Sequence, residues 1–134
     1  ALYGSGDSFS KMNVIIQSFG FKHGIPLDCD MMFDVRFLPN PFYVPELKML
    51  TGNDQEVMTY IWNYQITREF TKKLEDMVLF LLPEYQKEGK NQFTIAIGCT
   101  GGNHRSVFIA NKLCDFLREH DYEAQVAHRD LKRK

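Results

Sequence analysis

The chain has 134 residues, enough for one domain with a hydrophobic core, and its composition is ordinary for a globular protein. Its net charge of −1 excludes an overall field that would draw it onto nucleic acid, so any basic surface must be local. No apolar run approaches the roughly 20 residues that a membrane helix needs, and no signal-peptide pattern opens the chain. Three cysteines, odd in number and widely spaced, predict free thiols in a reducing cytoplasm: Cys29, Cys99 and Cys114.

The first stretch of the chain differs from the rest in composition. Its ten residues are small and polar and include two glycines and three serines. We expect residues 1–11 to be a linker, or a leftover of cloning, and residues 12–134 to form a single domain cut from a longer protein.

The first predicted strand covers residues 12–19, whose Val-Ile-Ile centre favours a buried place in a parallel or mixed sheet. Two glycines, a proline and two aspartates make residues 20–30 a loop. If this strand lies beside a second one near residue 95, the loop opens at the sheet edge where α/β proteins bind ligands. Its candidate functional residues are Lys22 and His23.

A second strand is predicted for residues 31–38, whose alternation places Asp34 and Arg36 on one side, where they can pair. Pro39, Pro41 and Pro45 then force an irregular segment. The rings expected to pack down here are Phe42 and Tyr43.

Two helices are predicted in the middle of the chain. Asn53 is the expected N-cap of the first, with Glu56 as capping partner, and this helix runs through Trp62. The second starts near Ile66 and ends or kinks at Pro83. Its apolar stripe is Ile66, Phe70, Leu74, Met77, Val78 and Leu81.

The most informative stretch is a predicted strand, glycine loop and helix within residues 92–117. Residues 93–97 suit a strand buried on both faces, and glycines 98, 101 and 102 interrupt it. A helical stripe follows from Ser106 and consists of Val107, Ala110, Leu113, Cys114 and Leu117. A last strand over residues 124–127 completes a small layered α/β fold of about four strands, parallel or mixed, flanked by helices.

This stretch predicts an anion site. A helix N-terminus after a glycine loop carries free N–H groups and the positive end of the helix dipole. Arg105 adds a guanidinium that grips phosphate or carboxylate through two bonds. The ligand-binding residues predicted from this stretch are Thr100, Gly101, Gly102, Asn103, His104, Arg105 and Ser106.

A second interpretation of the same loop is catalytic. Cys99 and Arg105 have the C-x-x-G-x-x-R-S spacing of cysteine-dependent phosphatases, in which a thiolate attacks phosphorus and loop amides hold its oxygens. Asp28 or Asp30 would protonate the leaving group. Those phosphatases usually place His before the cysteine, where this chain has Gly98. A nucleotide phosphate in the loop is a third interpretation.

Several blocks together resemble the C-terminal domain of the RapZ/YvcJ family. They are S-F-G-F-K-H-G-I-P-L-D (18–28), F-D-V-R-F-L-P-N-P (33–41), L-T-G (50–52), I-A-I-G-C-T-G-G-N-H-R-S-V (95–107) and H-R-D-L (128–131). The resemblance implies a fold similar to a phosphofructokinase subdomain. It also implies an N-terminal domain that binds ATP or GTP and is not part of this chain, with no cofactor in this domain.

The resemblance further implies a regulatory adaptor rather than an enzyme. Such a domain senses glucosamine-6-phosphate, associates with itself, binds small regulatory RNA and hands it to an endoribonuclease, which tunes amino-sugar synthesis for the cell envelope. A protein regulator of metabolism is the alternative partner, because an acidic, aromatic stretch lies at residues 119–123 where the RNA-binding branch is more basic. The sugar-phosphate pocket that the resemblance implies consists of His23, Thr100, Gly101, Gly102, His104 and Arg105. The RNA-binding residues implied are Arg129, Lys132, Arg133 and Lys134.

Overall fold

The computed structural model describes residues 12–133, so the predicted linker at residues 1–11 and the predicted RNA contact Lys134 lie outside the described residues. The described chain forms an α/β domain. Its strands are β1 (Asn13–Gly20), β2 (Met31–Asp34), β3 (Gln92–Cys99) and β4 (Glu123–His128), and its α-helices are α1 (Gln55–Trp62), α2 (Gln65–Lys87) and α3 (Arg105–Glu119).

The strands form one sheet in the order β2-β3-β1-β4, and every neighbouring pair is parallel. In the pairing of β1 with β3, Asn13 lies opposite Gln92 and Gly20 lies opposite Cys99. The carboxyl ends of the two central strands therefore meet at one edge. The layered α/β prediction is confirmed, and the sheet is parallel rather than mixed.

The core lies between the sheet and the helices. Because β3 is central, its apolar run is buried, including Phe93, Ile95 and Ile97. Helix α3 contacts β1, β3 and β4, and the predicted stripe from Val107 to Leu117 is fully buried along its length. This packing fixes the start of α3 at the carboxyl edge of the sheet.

The prediction of a strand over residues 31–38 is wrong in extent, because β2 ends at Asp34. The Asp34 carboxylate accepts a hydrogen bond from the backbone N–H of Arg36 at 2.9 Å, which turns the chain. The two side chains do pair, with Nη2 of Arg36 2.7 Å from Oδ2 of Asp34, but both are about half exposed. This ion pair therefore contributes little stability.

The aromatic segment that follows also differs from its prediction. Pro41–Tyr43 forms one turn of 3₁₀ helix, capped by the Asn40 side chain, which accepts from the N–H of Phe42 at 3.1 Å. Pro41 is the buried residue of this turn, whereas Phe42 is 48% and Tyr43 80% exposed. A turn of three residues buries one side only, so both rings face outward.

The N-cap of α1 is Asp54 and not Asn53. The Asp54 carboxylate accepts from the backbone N–H of Thr51 at 2.8 Å and closes the preceding turn. Asn53 instead accepts a hydrogen bond from Nδ2 of Asn111 in α3 at 2.7 Å. Asn53 therefore links the start of α1 to α3, which is distant in sequence.

Helix α2 continues through Pro83 to Lys87, so the first of the two predicted alternatives, that Pro83 ends the helix, is wrong. Its stripe is also displaced, since Ile66 and Met77 are about half exposed. Thr71 can be buried because its hydroxyl donates to the carbonyl of Thr67 at 2.7 Å. The buried residues of α2 are Thr67, Thr71, Leu74, Val78 and Leu82. Among the described helices, none is long and apolar enough to cross a membrane.

Candidate functional site

The glycine loop connects the end of β3 to the start of α3 at the carboxyl edge of the sheet. The end of β1 lies directly against it. A Cβ atom at Gly20 would come within 2.4 Å of the carbonyl carbon of Gly101, so the two backbones touch and a side chain at Gly20 does not fit. The loop is thereby held against the central strands.

The neighbours of the loop use its carbonyl groups and leave its N–H groups. The N–H of Lys22 donates to the carbonyl of Thr100 at 3.2 Å, and the N–H of Gly52 donates to that of Asn103 at 2.8 Å. Within residues 12–133, the backbone N–H groups of Gly101, Gly102 and Asn103 pair with no acceptor. Successive free N–H groups in a turn form a concavity suited to an anion.

Arg105 lies under this loop and is only 4% exposed. Its Nη1 donates to the carbonyls of Arg36 at 2.5 Å and Leu38 at 3.1 Å, and its Nη2 lies 3.4 Å from the hydroxyl of Thr100. Its Nε has no partner among the described residues. Burial lowers the pKa of Arg105, yet a guanidinium stays protonated in proteins, so the loop contains a fixed positive charge with unused donor capacity.

His104, which precedes α3, is also buried, and its Nε2 has no hydrogen-bond partner in the described part of the chain. Burial lowers the pKa of His104, while the nearby carbonyls of Leu50 and Lys48 act in the opposite direction. The imidazole is therefore neutral at pH 7, and it is packed beside backbone carbonyls of residues 47–50.

These groups line a cavity of about 290 Å³. Its wall continues from the loop to the ammonium-bearing Lys22, the amide of Asn40 and the rings of Phe42 and Tyr43. None of the described residues that line it carries a carboxylate. The volume is near the lower limit of about 300 Å³ for small-molecule pockets, so it suits a small anionic metabolite.

The structure separates some of the predicted ligand residues from this cavity. Thr100, Gly101, Asn103, His104 and Arg105 line it directly. Gly102 does not line the cavity and instead packs against Gly20 and Asp130.

His23 ends a 3₁₀ turn beside the loop, but its neighbour Lys22 is the residue that lines the cavity. Ser106 is fully buried, and its Oγ lies 3.1 Å from Sγ of Cys99. Sequence reasoning named Lys22 as a candidate on its loop but did not place it among the ligand-binding residues, and it missed Asn40, Phe42 and Tyr43 as cavity residues. Their common signal is their position on loops that follow β1 and β2 at the same sheet edge.

The residues of the phosphatase interpretation are only partly brought together. Cys99 and Arg105 line the same cavity. Asp30 lies at the opposite end of β3, where its carboxylate accepts from the N–H of Thr94 at 2.8 Å and pairs with Lys90 at 2.9 Å. Thr94 is five residues from Cys99, which is about 16 Å along a strand.

Asp28, the other candidate acid, lines a separate groove beside Ile15 and Thr94. The structure therefore places both carboxylates of the phosphatase interpretation away from the thiol of Cys99.

The basic segment at the end of the described chain is organised around Asp130, a fully buried carboxylate. Arg129 approaches it to 2.8 Å and Arg133 to 3.0 Å, and the backbone N–H of Gly20 donates to it at 2.8 Å. Burial alone would raise the pKa of Asp130, but these hydrogen bonds lower it to about 2. Of the predicted RNA contacts, Lys132 and Arg133 are exposed, and both Arg129 and Arg133 are paired with Asp130.

Among the described residues, no cluster of three or more His, Cys, Asp or Glu side chains could hold a metal ion. The thiols of Cys29, Cys99 and Cys114 are all free. The site is thus a loop of main-chain donors with one buried guanidinium. Together, fold and site define a parallel α/β domain that has a glycine loop with free main-chain donors and a buried arginine at its carboxyl edge.

Comparison with known proteins identifies the family. The family described as the RapZ C-terminal domain matches residues 12–132, and the chain belongs to it, which confirms the resemblance seen in the sequence. A nucleotide-binding protein of Alkaliphilus oremlandii is 57% identical over 129 residues, covering 96% of this chain and 44% of that protein. One of Carboxydothermus hydrogenoformans is 54% identical over 131 residues, covering 98% and 45%. The chain therefore spans less than half the length of these curated relatives.

Proposed function

We propose that this domain is a regulatory binding module that holds the phosphate of an amino-sugar phosphate, such as glucosamine-6-phosphate, in its glycine loop. As part of a longer protein in the cytoplasm, it controls amino-sugar and cell-envelope precursor metabolism. The observation that carries the proposal is the set of unpaired N–H groups at Gly101, Gly102 and Asn103 beside the buried Arg105.

The phosphate part of the proposal is supported by buried polar atoms that lack partners. Leaving a buried donor without an acceptor costs free energy, and such groups in native proteins usually have a ligand or water. Nε of Arg105 and Nε2 of His104 are two such atoms, and both residues line the cavity. Because both atoms lie below the cavity surface, the phosphate in this proposal accepts hydrogen bonds from the loop N–H groups and is attracted by the charge of Arg105.

The sugar part of the proposal is supported by the size and wall of the cavity. A volume of about 290 Å³ fits a phosphorylated monosaccharide better than a dinucleotide. The amide of Asn40 can bond sugar hydroxyls, and the exposed face of Tyr43 can cover one side of a ring. The amino group in the proposed ligand comes from the family resemblance.

The partners in this proposal are small regulatory RNA with an endoribonuclease, or a metabolic regulator protein. The exposed cations Lys132 and Arg133 support RNA contact through phosphates. Exposed Phe42, Tyr43 and Met49 support self-association of the domain. Nucleotide binding, which gives the relatives their name, belongs in this proposal to the remainder of a longer protein.

Titration calorimetry tests the ligand class. Glucosamine-6-phosphate, glucose-6-phosphate and inorganic phosphate should each release or absorb heat on binding, whereas unphosphorylated glucosamine should not bind. The sugar phosphates should bind more tightly than inorganic phosphate because the ring adds contacts with Asn40 and Tyr43. Binding of glucosamine as tight as that of its phosphate would contradict the proposal.

A cysteine-dependent phosphatase is the second candidate, and one observation favours it. Sγ of Cys99 lies 3.1 Å from the hydroxyl of Ser106, which can stabilise a thiolate, and Cys99 lines the cavity with Arg105. Cys99→Ser distinguishes the candidates. It should leave binding of glucosamine-6-phosphate nearly unchanged if the domain is a sensor, and abolish hydrolysis of an aryl phosphate if it is a phosphatase.

A further inference from the structure

Asn103 contacts both the glycine loop and the turn that ends the described chain. The backbone N–H of Lys132 donates to Oδ1 of Asn103 at 2.5 Å. A backbone N–H can only donate, so the atom it meets must be the amide oxygen, and Nδ2 faces the other way. Nδ2 lies 3.8 Å from the position that a Cβ at Gly101 would occupy, so it stands over the loop.

A second contact ties the same turn to the loop. A Cβ at Gly102 would lie 2.9 Å from Cβ of Asp130 and 2.7 Å from the N of Gly20, so these three backbones are packed directly against one another. The Asp130 carboxylate accepts from the N–H of Gly20 at 2.8 Å. The turn therefore starts from a residue that is fixed to the back of the glycine loop.

The turn itself requires support. Lys132 has φ of 60°, a left-handed conformation that residues other than glycine adopt at a conformational cost. Three contacts hold it: the bond to Asn103, the bond from the N–H of Arg133 to the carbonyl of Asp130 at 3.0 Å, and the ion pair between the side chains of Arg133 and Asp130 at 3.0 Å. Losing the first of these favours opening of the turn.

We infer that Asn103 is a positioning residue that couples occupancy of the anion loop to the order of residues 130–133. An anion in the loop accepts a hydrogen bond from Nδ2 of Asn103 and fixes the plane of its amide. Because Nδ2 and Oδ1 belong to one planar group, the Oδ1 bond to Lys132 becomes stronger. The ligand thereby fixes the turn that presents the cations of Lys132 and Arg133, and an ordered turn in return raises the affinity for the anion.

This inference rests on the proposed anion site, and nuclear magnetic resonance separates the two. During titration of the protein with inorganic phosphate, the amide resonances of Gly101 and Gly102 report on loop occupancy. Hydrogen exchange of the Lys132 amide reports on the turn. We expect the loop resonances to shift and Lys132 exchange to slow by about fivefold or more, the usual lower range for coupled sites. Lys90, whose N–H bonds the carbonyl of Tyr85 far from the loop, is the internal control.

Asn103→Ala removes the connecting amide but leaves the backbone bond from Gly52 to residue 103. At saturating phosphate, the variant should show shifted loop resonances without slower exchange at Lys132. Slower exchange in the variant overturns the inference, as does unchanged Lys132 exchange in the wild-type protein with shifted loop resonances. If the loop resonances do not shift at all, with phosphate or with glucosamine-6-phosphate, the proposed anion site fails together with the coupling.

Discussion

The carboxylate of Asp130 accepts a hydrogen bond from the backbone N–H of Gly20 at 2.8 Å, although the two residues are 110 positions apart. The bond joins the end of the first strand to the turn after the last one, at the back of the glycine loop. The side chains of Arg129 and Arg133 form ion pairs with the same carboxylate. The segment that resembles an RNA-binding tail therefore has a structural role in holding the proposed ligand loop.

Asp130→Asn should lower the free energy of unfolding by about 2 kcal/mol at pH 7, the value that follows from a pKa lowered from 3.8 to about 2. Because the folded-state pKa lies below the unfolded one, this stability is present above about pH 4 and is lost as the pH falls toward 2. The difference in the free energy of unfolding between the wild-type protein and the variant should therefore decrease as the pH falls from 4 to 2. Urea denaturation at pH 7, 4 and 2.5 measures it.

The control for this substitution is Asp76→Asn, which breaks an exposed ion pair with Lys72. Exposed pairs contribute little, so the change should stay below about 1 kcal/mol and show no comparable pH dependence. Equal effects of the two substitutions would contradict the structural role of Asp130.

Two neighbouring glycines should respond differently to the same substitution. Gly102→Ala places a Cβ at φ of 83° and 2.7 Å from the N of Gly20, so it should destabilise the fold by about 2 kcal/mol or more. Gly101→Ala meets only Nδ2 of Asn103, at 3.8 Å, and should change stability by less than about 0.5 kcal/mol. Thermal denaturation compares them, and equal losses would show that the loop is packed differently.

Lys22→Ala should weaken binding of glucosamine-6-phosphate about tenfold, the factor that corresponds to about 1.4 kcal/mol. The substitution removes an ammonium group from the cavity wall, while the backbone N–H of residue 22 still bonds Thr100. Calorimetry at low and high salt measures the affinity, and the effect should shrink with salt. Lys73→Ala on the exposed face of α2 is the matched control and should leave the affinity unchanged.

Acidification below about pH 6.5 should lower the free energy of unfolding through His128 and His104. Burial lowers the pKa of both residues, so the unfolded chain binds more protons in this range and stability falls with pH, by at most about 1.4 kcal/mol per histidine and pH unit. Nδ1 of His128 lies 2.6 Å from Oγ of Ser18 and its Nε2 lies 3.0 Å from Oδ1 of Asn111. His128→Gln should reduce the pH slope of urea denaturation between pH 7.5 and 5.5. An unchanged slope would mean that groups other than His128 cause the pH dependence of the free energy of unfolding.

Met49→Glu should reduce self-association of the domain if the exposed surface near Phe42 and Tyr43 forms the contact. Met49 is 85% exposed, so the substitution adds charge without disturbing the core. Sedimentation velocity over a range of concentrations measures the assembly. Met77→Glu on α2, a second exposed methionine, is the matched comparison, and dissociation by this variant alone would place the contact on α2.

Much of the fold and the family membership followed from local patterns. The apolar run of residues 93–97, the glycines after it and the stripe from Val107 to Leu117 predicted the strand, loop and helix that the structure contains. These patterns are readable because strand and helix periodicities are properties of neighbouring residues. The place of the proposed anion loop was predictable for the same reason.

Tertiary structure decided which polar groups are already paired and which face the cavity. Arg105 bonds carbonyls of Arg36 and Leu38, and Asp130 bonds Gly20, through contacts between residues that are far apart in sequence. Such partners depend on strand order and register, which no local pattern contains. The sequence by itself determined the type and order of the strands and α-helices, but not all of their ends, and a loop rich in donors. Only the parallel packing of β1 beside β3 decided that Lys22 lines the cavity, because that register places the end of β1 against Thr100 and Gly101.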